Sequence, residues 1–111
     1  MADIFEQALY PYRRSPDQDA AAPVRHPVIV VGAGPVGLAA ALDLALKDVP
    51  VLLLDDNDRV STGSRAICFA KRTLEIMDRL GCGQQLVDKG VTWNRGKVFF
   101  DERKVYEFNL L

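Results

Sequence analysis

An α/β fold is the expectation, and three observations carry it. Val28–Val31 is a continuous β-branched run, Val51–Leu54 is a second apolar run of equal length, and an apolar helix-forming stretch opened by three glycines lies between them. Short unbroken runs of that kind read as strands buried on both faces. Strand, glycine turn, helix and strand make a βαβ unit, with parallel pairing and a right-handed crossover expected.

The rest of the composition sets the bounds. At 111 residues the chain is at most one small domain, and its 49% hydrophobic and 26% charged content is ordinary for a globular protein. A formal charge of −1 leaves no basic excess to neutralise phosphates, which excludes a general nucleic-acid binder. Cys68 and Cys82 make no disulfide framework and read as small apolar fillers in a reducing compartment. The single histidine, His26, stands in a polar segment, so no metal site is expected. Lys47, Asp48 and Pro50 interrupt the longest apolar run, so neither a transmembrane helix nor a membrane partner is expected. A cytoplasmic location follows as the default, and the composition permits a homo-oligomer.

Residues 1–27, "MADIFEQALYPYRRSPDQDAAAPVRHP", carry four prolines, scattered charges and no lasting period. They read as a flexible leader without the apolar core of a secretory signal, and "YPYRR" as a candidate docking patch. Structure is expected from Val28. Gly32-x-Gly34-x-x-Gly37 follows the first strand directly, and the helix over 38–46 follows the glycines, with Pro35 just inside its start. Asp48 takes the place after the helix where glycine usually supplies a left-handed residue, a conformation aspartate tolerates.

That context gives each glycine a task in the dinucleotide-binding fingerprint. Gly32 permits the tight turn, Gly34 lets the backbone approach a pyrophosphate, and Gly37 lets the helix pack on the strand. The helix start offers N–H groups and a positive dipole end to the phosphates. Asp55 closes the second strand 18 positions after Gly37, where an acid accepts hydrogen bonds from ribose hydroxyls. Asp56 adds negative charge that disfavours a 2′-phosphate. The fingerprint alone does not separate NAD from FAD.

After the polar loop 61–64 comes Arg65, whose guanidinium is in reach of a phosphate or ribose. Residues 66–69 read as a short extended piece and 70–80 as a helix with Ala70, Leu74, Met77 and Leu80 on its apolar stripe. Glu75 and Arg79 have the favourable acid-first spacing, and Gly81 ends the helix. A helical piece over 84–89 precedes "GKVFFDERKVYEFNLL", two β-rich runs around a polar turn at 101–104, which reads as a hairpin. Phe100, Tyr106 and Phe108 are expected to pack a sheet that further chain completes, and Trp93 to be core or inter-domain filler.

"VIVVGAGPVGLAAALDLALKDVPVLLLDDND" followed by "GSRAICFAKRTLEIMDRLG" resembles the N-terminus of the FAD-dependent aromatic hydroxylases, single-component flavoprotein monooxygenases of the 3-(3-hydroxyphenyl)propionate hydroxylase and phenol hydroxylase type. The likeness runs from about Val28 to Leu111. It implies a Rossmann-type FAD-binding unit, with Gly32, Gly34, Val36 and Gly37 at the ADP-binding turn. It also implies Asp55 at the ribose position, Asp56 beside it, and Arg65 near the ribityl and pyrophosphate region. Relatives usually carry Glu at the position of Asp55, and many carry a basic residue at that of Asp56. By the same likeness NAD(P)H is the co-substrate, and one oxygen atom of O₂ passes to a small phenolic or aromatic substrate. No catalytic residue is assigned.

The expected organisation is a leader at 1–27, the N-terminal part of an FAD-binding domain at 28–95, and a hairpin at 96–111 that begins a substrate-domain sheet. Two parallel strands and a hairpin cannot cover both faces of such a sheet, so the chain reads as an incomplete portion of a longer enzyme, inactive alone. On the residues themselves, another FAD- or NAD-dependent oxidoreductase and a remnant that binds no nucleotide stay open.

Overall fold

The structure, a computed structural model, describes residues 8–61 and 66–111. It divides into two compact units, the first ending at Phe69 and the second beginning at Ala70. The expected 95/96 boundary therefore lies inside the second unit.

The first unit is built on β1 (Val28–Val31), α1 (Pro35–Ala45) and β2 (Val51–Leu54). β1 and β2 pair in parallel, from Val28 opposite Val51 to Val31 opposite Leu54. α1 starts at Pro35, where a residue lacking an N–H loses nothing, and has Gly34 as its N-cap. It ends at Leu46, and the chain reverses through Asp48 at φ 57°, the left-handed conformation expected there. The Val49 N–H donates to the Leu44 carbonyl at 3.0 Å across that reversal.

The β-branched run alone reads as a strand buried on both faces, but β1 is covered on one, in keeping with a chain too short to cover both. Val28 and Val30 are half-buried, whereas Ile29 and Val31 are 52% and 82% exposed. The strand alternates because α1 packs on the Val30 side of the sheet, while Ile29 and Val31 point the other way. Ala41, on the helix, is the buried hydrophobic residue of this unit among the described residues.

Residues 8–27 carry local order that no sequence period announced. Pro16–Gln18 form a single 3₁₀ turn closed by a capping box between Ser15 and Gln18. Tyr12 Oη donates to Gln18 Oε1 at 2.8 Å, and Arg14 grips Asp19 with two hydrogen bonds. His26 Nε2 lies 2.8 Å from Asp17 Oδ2. That contact holds the Asp17 carboxyl below its usual range.

The second unit holds α2 (Lys71–Arg79), α3 (Gly83–Lys89), β3 (Arg95–Phe100) and β4 (Arg103–Asn109). α2 packs on α3. Its covered stripe is Thr73, Leu74, Ile76, Met77 and the buried Leu80, and Ala70 is instead an exposed N-cap. Gly81 ends the helix at φ 86°. Glu75 turns back to Arg72 at 3.2 Å and Lys71 at 4.0 Å. Residues 66–69 form no strand.

Neither cysteine is disulfide-bonded, and only one fits the filler role. Cys82 is half-buried with Sγ 3.4 Å from the Met77 carbonyl, whereas Cys68 is exposed.

β3 and β4 form an antiparallel hairpin whose turn is shorter than the sequence suggests. Phe100 pairs with Arg103, leaving Asp101 and Glu102 as the turn, with Asp101 at φ 53°. The register shifts between Val98 and Phe99, making Val105 the extra residue of a bulge. Gly96 lies opposite Phe108, whose ring stacks with Tyr106 at 5.9 Å and meets the Trp93 edge at 6.3 Å. Trp93, Tyr106 and Phe108 therefore pack on one another, though Trp93 remains 51% exposed, whereas Phe100, next to the turn, is 76% exposed and does not pack as expected.

Candidate nucleotide site

The carboxyl ends of β1 and β2 converge on the glycine turn. The Gly32 N–H donates to the Leu54 carbonyl at 2.7 Å, carrying the parallel ladder one step beyond Val31. Gly32 then turns at φ +102°, where a side chain would be strained. Gly37 answers a different demand: a Cβ there would sit 1.9 Å from the Gly32 carbonyl oxygen and 3.3 Å from Val30 Cγ1. The helix can lie this close to the strand only without that carbon.

Gly34 meets neither demand. Its backbone is ordinary extended chain at φ −71° and ψ 178°, and nothing lies within 4 Å of where its Cβ would be. The fold itself does not require glycine here; the space in front of it is open. Leu38 makes the first intrahelical bond, to the Gly34 carbonyl at 2.9 Å. No side chain caps this helix start, so the Val36 and Gly37 N–H groups face outward with the positive end of the helix dipole. A cleft of ≈ 460 Å³ has Gly34, Val36 and Gly37 in its lining. A second, of ≈ 380 Å³, is lined by Val31, Gly32, Leu54, Asp55 and Asp56. Ligands of open α/β sheets bind at this end of the strands.

Asp55 is tied into the turn. Its Oδ2 accepts a hydrogen bond from the Ala33 N–H, and its Oδ1 accepts from the Asn57 backbone N–H at 2.8 Å and from Asn57 Nδ2 at 2.9 Å. These donors, Ala33 foremost, hold the carboxyl below its usual range. A carboxylate has about four lone-pair directions, so room remains for a further donor such as a hydroxyl. The group is thus fixed in orientation and charged before any ligand arrives.

Of the other expected site residues, Asp56 lies beside Asp55 in the cleft wall and accepts from Asn57 Nδ2 at 2.9 Å. Val36 is 84% exposed at the helix start, where its backbone N–H has no side-chain cap. Arg65 and most of the loop before it lie outside the described residues. Sequence reasoning missed Ala33 and Asn57. Asn two places after Asp is a recognisable turn signal, whereas nothing in the residue type of Ala33 marks it.

The donor set suits the ADP half of a dinucleotide: outward backbone N–H groups for phosphate, space where a Cβ would intrude, and an oriented carboxylate at ribose distance in the chain. Among the described residues, no cluster of three or more His, Cys, Asp or Glu could hold a metal ion, and no helix is long and apolar enough to cross a membrane.

Comparison with known proteins gives the family. The family described as "FAD binding domain" matches residues 25–109, and the chain belongs to it. It is similar to 6-methylpretetramide 4-monooxygenase of Streptomyces rimosus, 41% identical over 63 residues, which are 57% of this chain and 11% of that protein. It is similar to para-nitrophenol 4-monooxygenase of Pseudomonas sp. (strain WBC-3), 38% identical over 64 residues, 58% of this chain and 16% of the relative. Pentachlorophenol 4-monooxygenase of Sphingobium chlorophenolicum is 31% identical over 87 residues, 76% of this chain and 16% of its own. The chain thus spans between 11% and 16% of the length of these three relatives. No solved structure gives a significant match.

Proposed function

We propose that this chain binds the ADP half of FAD as the N-terminal segment of a flavin-dependent monooxygenase acting on small phenolic or aromatic substrates. The observation that carries the reading is the open space at Gly34 beside an uncapped helix start, in a turn that Gly32 and Gly37 hold shut from the protein side. The Val36 and Gly37 N–H groups receive the pyrophosphate, and Asp55 takes a ribose hydroxyl. Arg65 approaches the same phosphates. Asp56 disfavours a 2′-phosphate at this position. Bound FAD would supply the electron transfer from NAD(P)H and the oxygen chemistry. The relatives' names, all monooxygenases, support the reaction class. In this reading 28–95 is part of the FAD domain and 96–111 begins the sheet of a substrate domain.

The test is a titration of the chain with FAD, followed by flavin fluorescence and circular dichroism, with NAD as competitor. Saturable binding that Gly34→Val abolishes, without change in the circular dichroism, is the expected result. A valine variant with wild-type affinity would remove the turn from the cofactor site.

A further inference from the structure

We propose that the N-terminal segment is a positioning element of the nucleotide site, bracing the loop that carries Asp55 through the backbone hydrogen bond from Tyr10 to Asp58. This rests on the FAD-binding reading above and assigns the segment a task beyond it.

The connection is continuous. The Tyr10 N–H donates to the Asp58 carbonyl at 2.7 Å. Asn57, the next residue back, donates twice to Asp55, and Asp55 in turn holds the Ala33 N–H of the glycine turn. A chain of hydrogen bonds therefore runs from the leader to the backbone expected to meet the phosphates. Asp58 carries a local partner in Arg59 at 2.7 Å, but that pair lies within the same loop and gives it no outside anchor.

A flexible arm would not serve as a brace, because one hydrogen bond cannot offset the entropy of ordering a long segment. Here the segment orders itself. The Ser15–Gln18 capping box, the Tyr12–Gln18 bond, the Arg14–Asp19 fork and the Asp17–His26 contact close it on itself between Tyr12 and His26. Its far end runs directly into β1 at Val28. Tyr10 also precedes Pro11, which already favours extended backbone at Tyr10. The strap is thus anchored at β1 and arrives at Asp58 with little freedom left to lose.

Tyr10→Pro deletes the donor and leaves Asp58 untouched. In the 111-residue chain it is expected to raise the FAD Kd about fivefold, the size of one net hydrogen bond. Without FAD, it is expected to speed amide exchange at Ala33 and Asn57 by a similar factor while Ile29 and Val30 keep theirs. Tyr10→Ala retains the N–H and is expected to keep the wild-type exchange pattern. Should β1 also loosen in the proline variant, Arg14→Ala decides the matter, since it slackens the strap remote from the loop and is expected to speed the same two amides. A wild-type chain that binds FAD, with variants equal to it in Kd and in exchange, would overturn the proposal alone. A wild-type chain that ignores FAD would overturn the cofactor reading and the proposal with it.

Discussion

Glycine lies beneath a covering group in both units, at Gly37 and at Gly96, but the two covers differ in kind. Above Gly37 stands the Gly32 carbonyl, a backbone group of a residue whose N–H is bonded to the Leu54 carbonyl and whose φ is positive. Above Gly96 lies the ring of Phe108, 2.1 Å from where a Cβ would be. That ring can rotate. The parallel unit thus meets a side chain with atoms that cannot yield, while the hairpin meets it with atoms that can. A rigid turn suits a surface that presents backbone N–H groups to a ligand; an aromatic cover suits a hairpin that needs only its own register.

The largest expected effect tests the rigid side. Gly37→Ala should destabilise the chain by about 3 kcal/mol, because helix and strand must separate to admit the methyl group. Urea unfolding followed by circular dichroism measures it, and a loss of only a few tenths would erase the contrast. Gly96→Ala should cost less, about 1 kcal/mol, as Phe108 swings aside and surrenders its ring pairings. Trp93 is the sole tryptophan, so its fluorescence reports that rearrangement directly. An unmoved emission spectrum would mean the ring never left.

Two carboxylates sharpen the comparison further. Asp55 is held below its usual range chiefly by the Ala33 N–H, and Glu107 by the Lys104 ammonium. Both pKa values are depressed by folding, so the linked stabilisation is complete above the unfolded carboxylate value and is lost as pH falls through the folded one. The causes differ, however. At about 1 M salt the Debye length shrinks to about 3 Å, and the lysine's influence on exposed Glu107 should relax while the backbone bonds to Asp55 persist. Carboxyl titration by NMR at low and high salt tests this; equal salt responses would count against it. The smallest effect belongs to α2, where Glu75→Gln removes the exposed pairs with Arg72 and Lys71 and should cost no more than about 0.5 kcal/mol in the same urea experiment.

The legible parts of this fold were those written in short range. β1 and β2 follow directly from apolar runs with hard breakers on either side, and Asp48 from its place after a helix. The glycine turn was readable because three glycines stand at fixed spacing, and two of them, Gly32 and Gly37, answer a local demand. What could not be read depends on distance in the chain. The Ala33–Asp55 bond spans 22 positions and exists only because the parallel register brings Leu54 beside Gly32. The β-branched run does not by itself mark the exposed face at Ile29 and Val31, since it looks the same whether one helix covers it or two do; only the small number of elements did. The leader's bonds join residues five, six and nine apart, spacings that belong to no periodic element. In the hairpin, the bulge at Val105 adds one residue to β4, an interruption of the alternation that the residue types do not announce.

The parallel register of the first unit also bears on the order of assembly. Val28 meets Val51 only after 22 intervening residues have formed and placed α1, whereas Phe100 meets Arg103 across two. Closing the longer loop costs more chain entropy before any ladder bond returns it, and contacts of greater sequence separation slow folding. Hairpins close in about 1–10 μs. The hairpin is therefore expected to reach its own native pairing soonest, while the glycine turn waits on the longer crossover between β1 and β2.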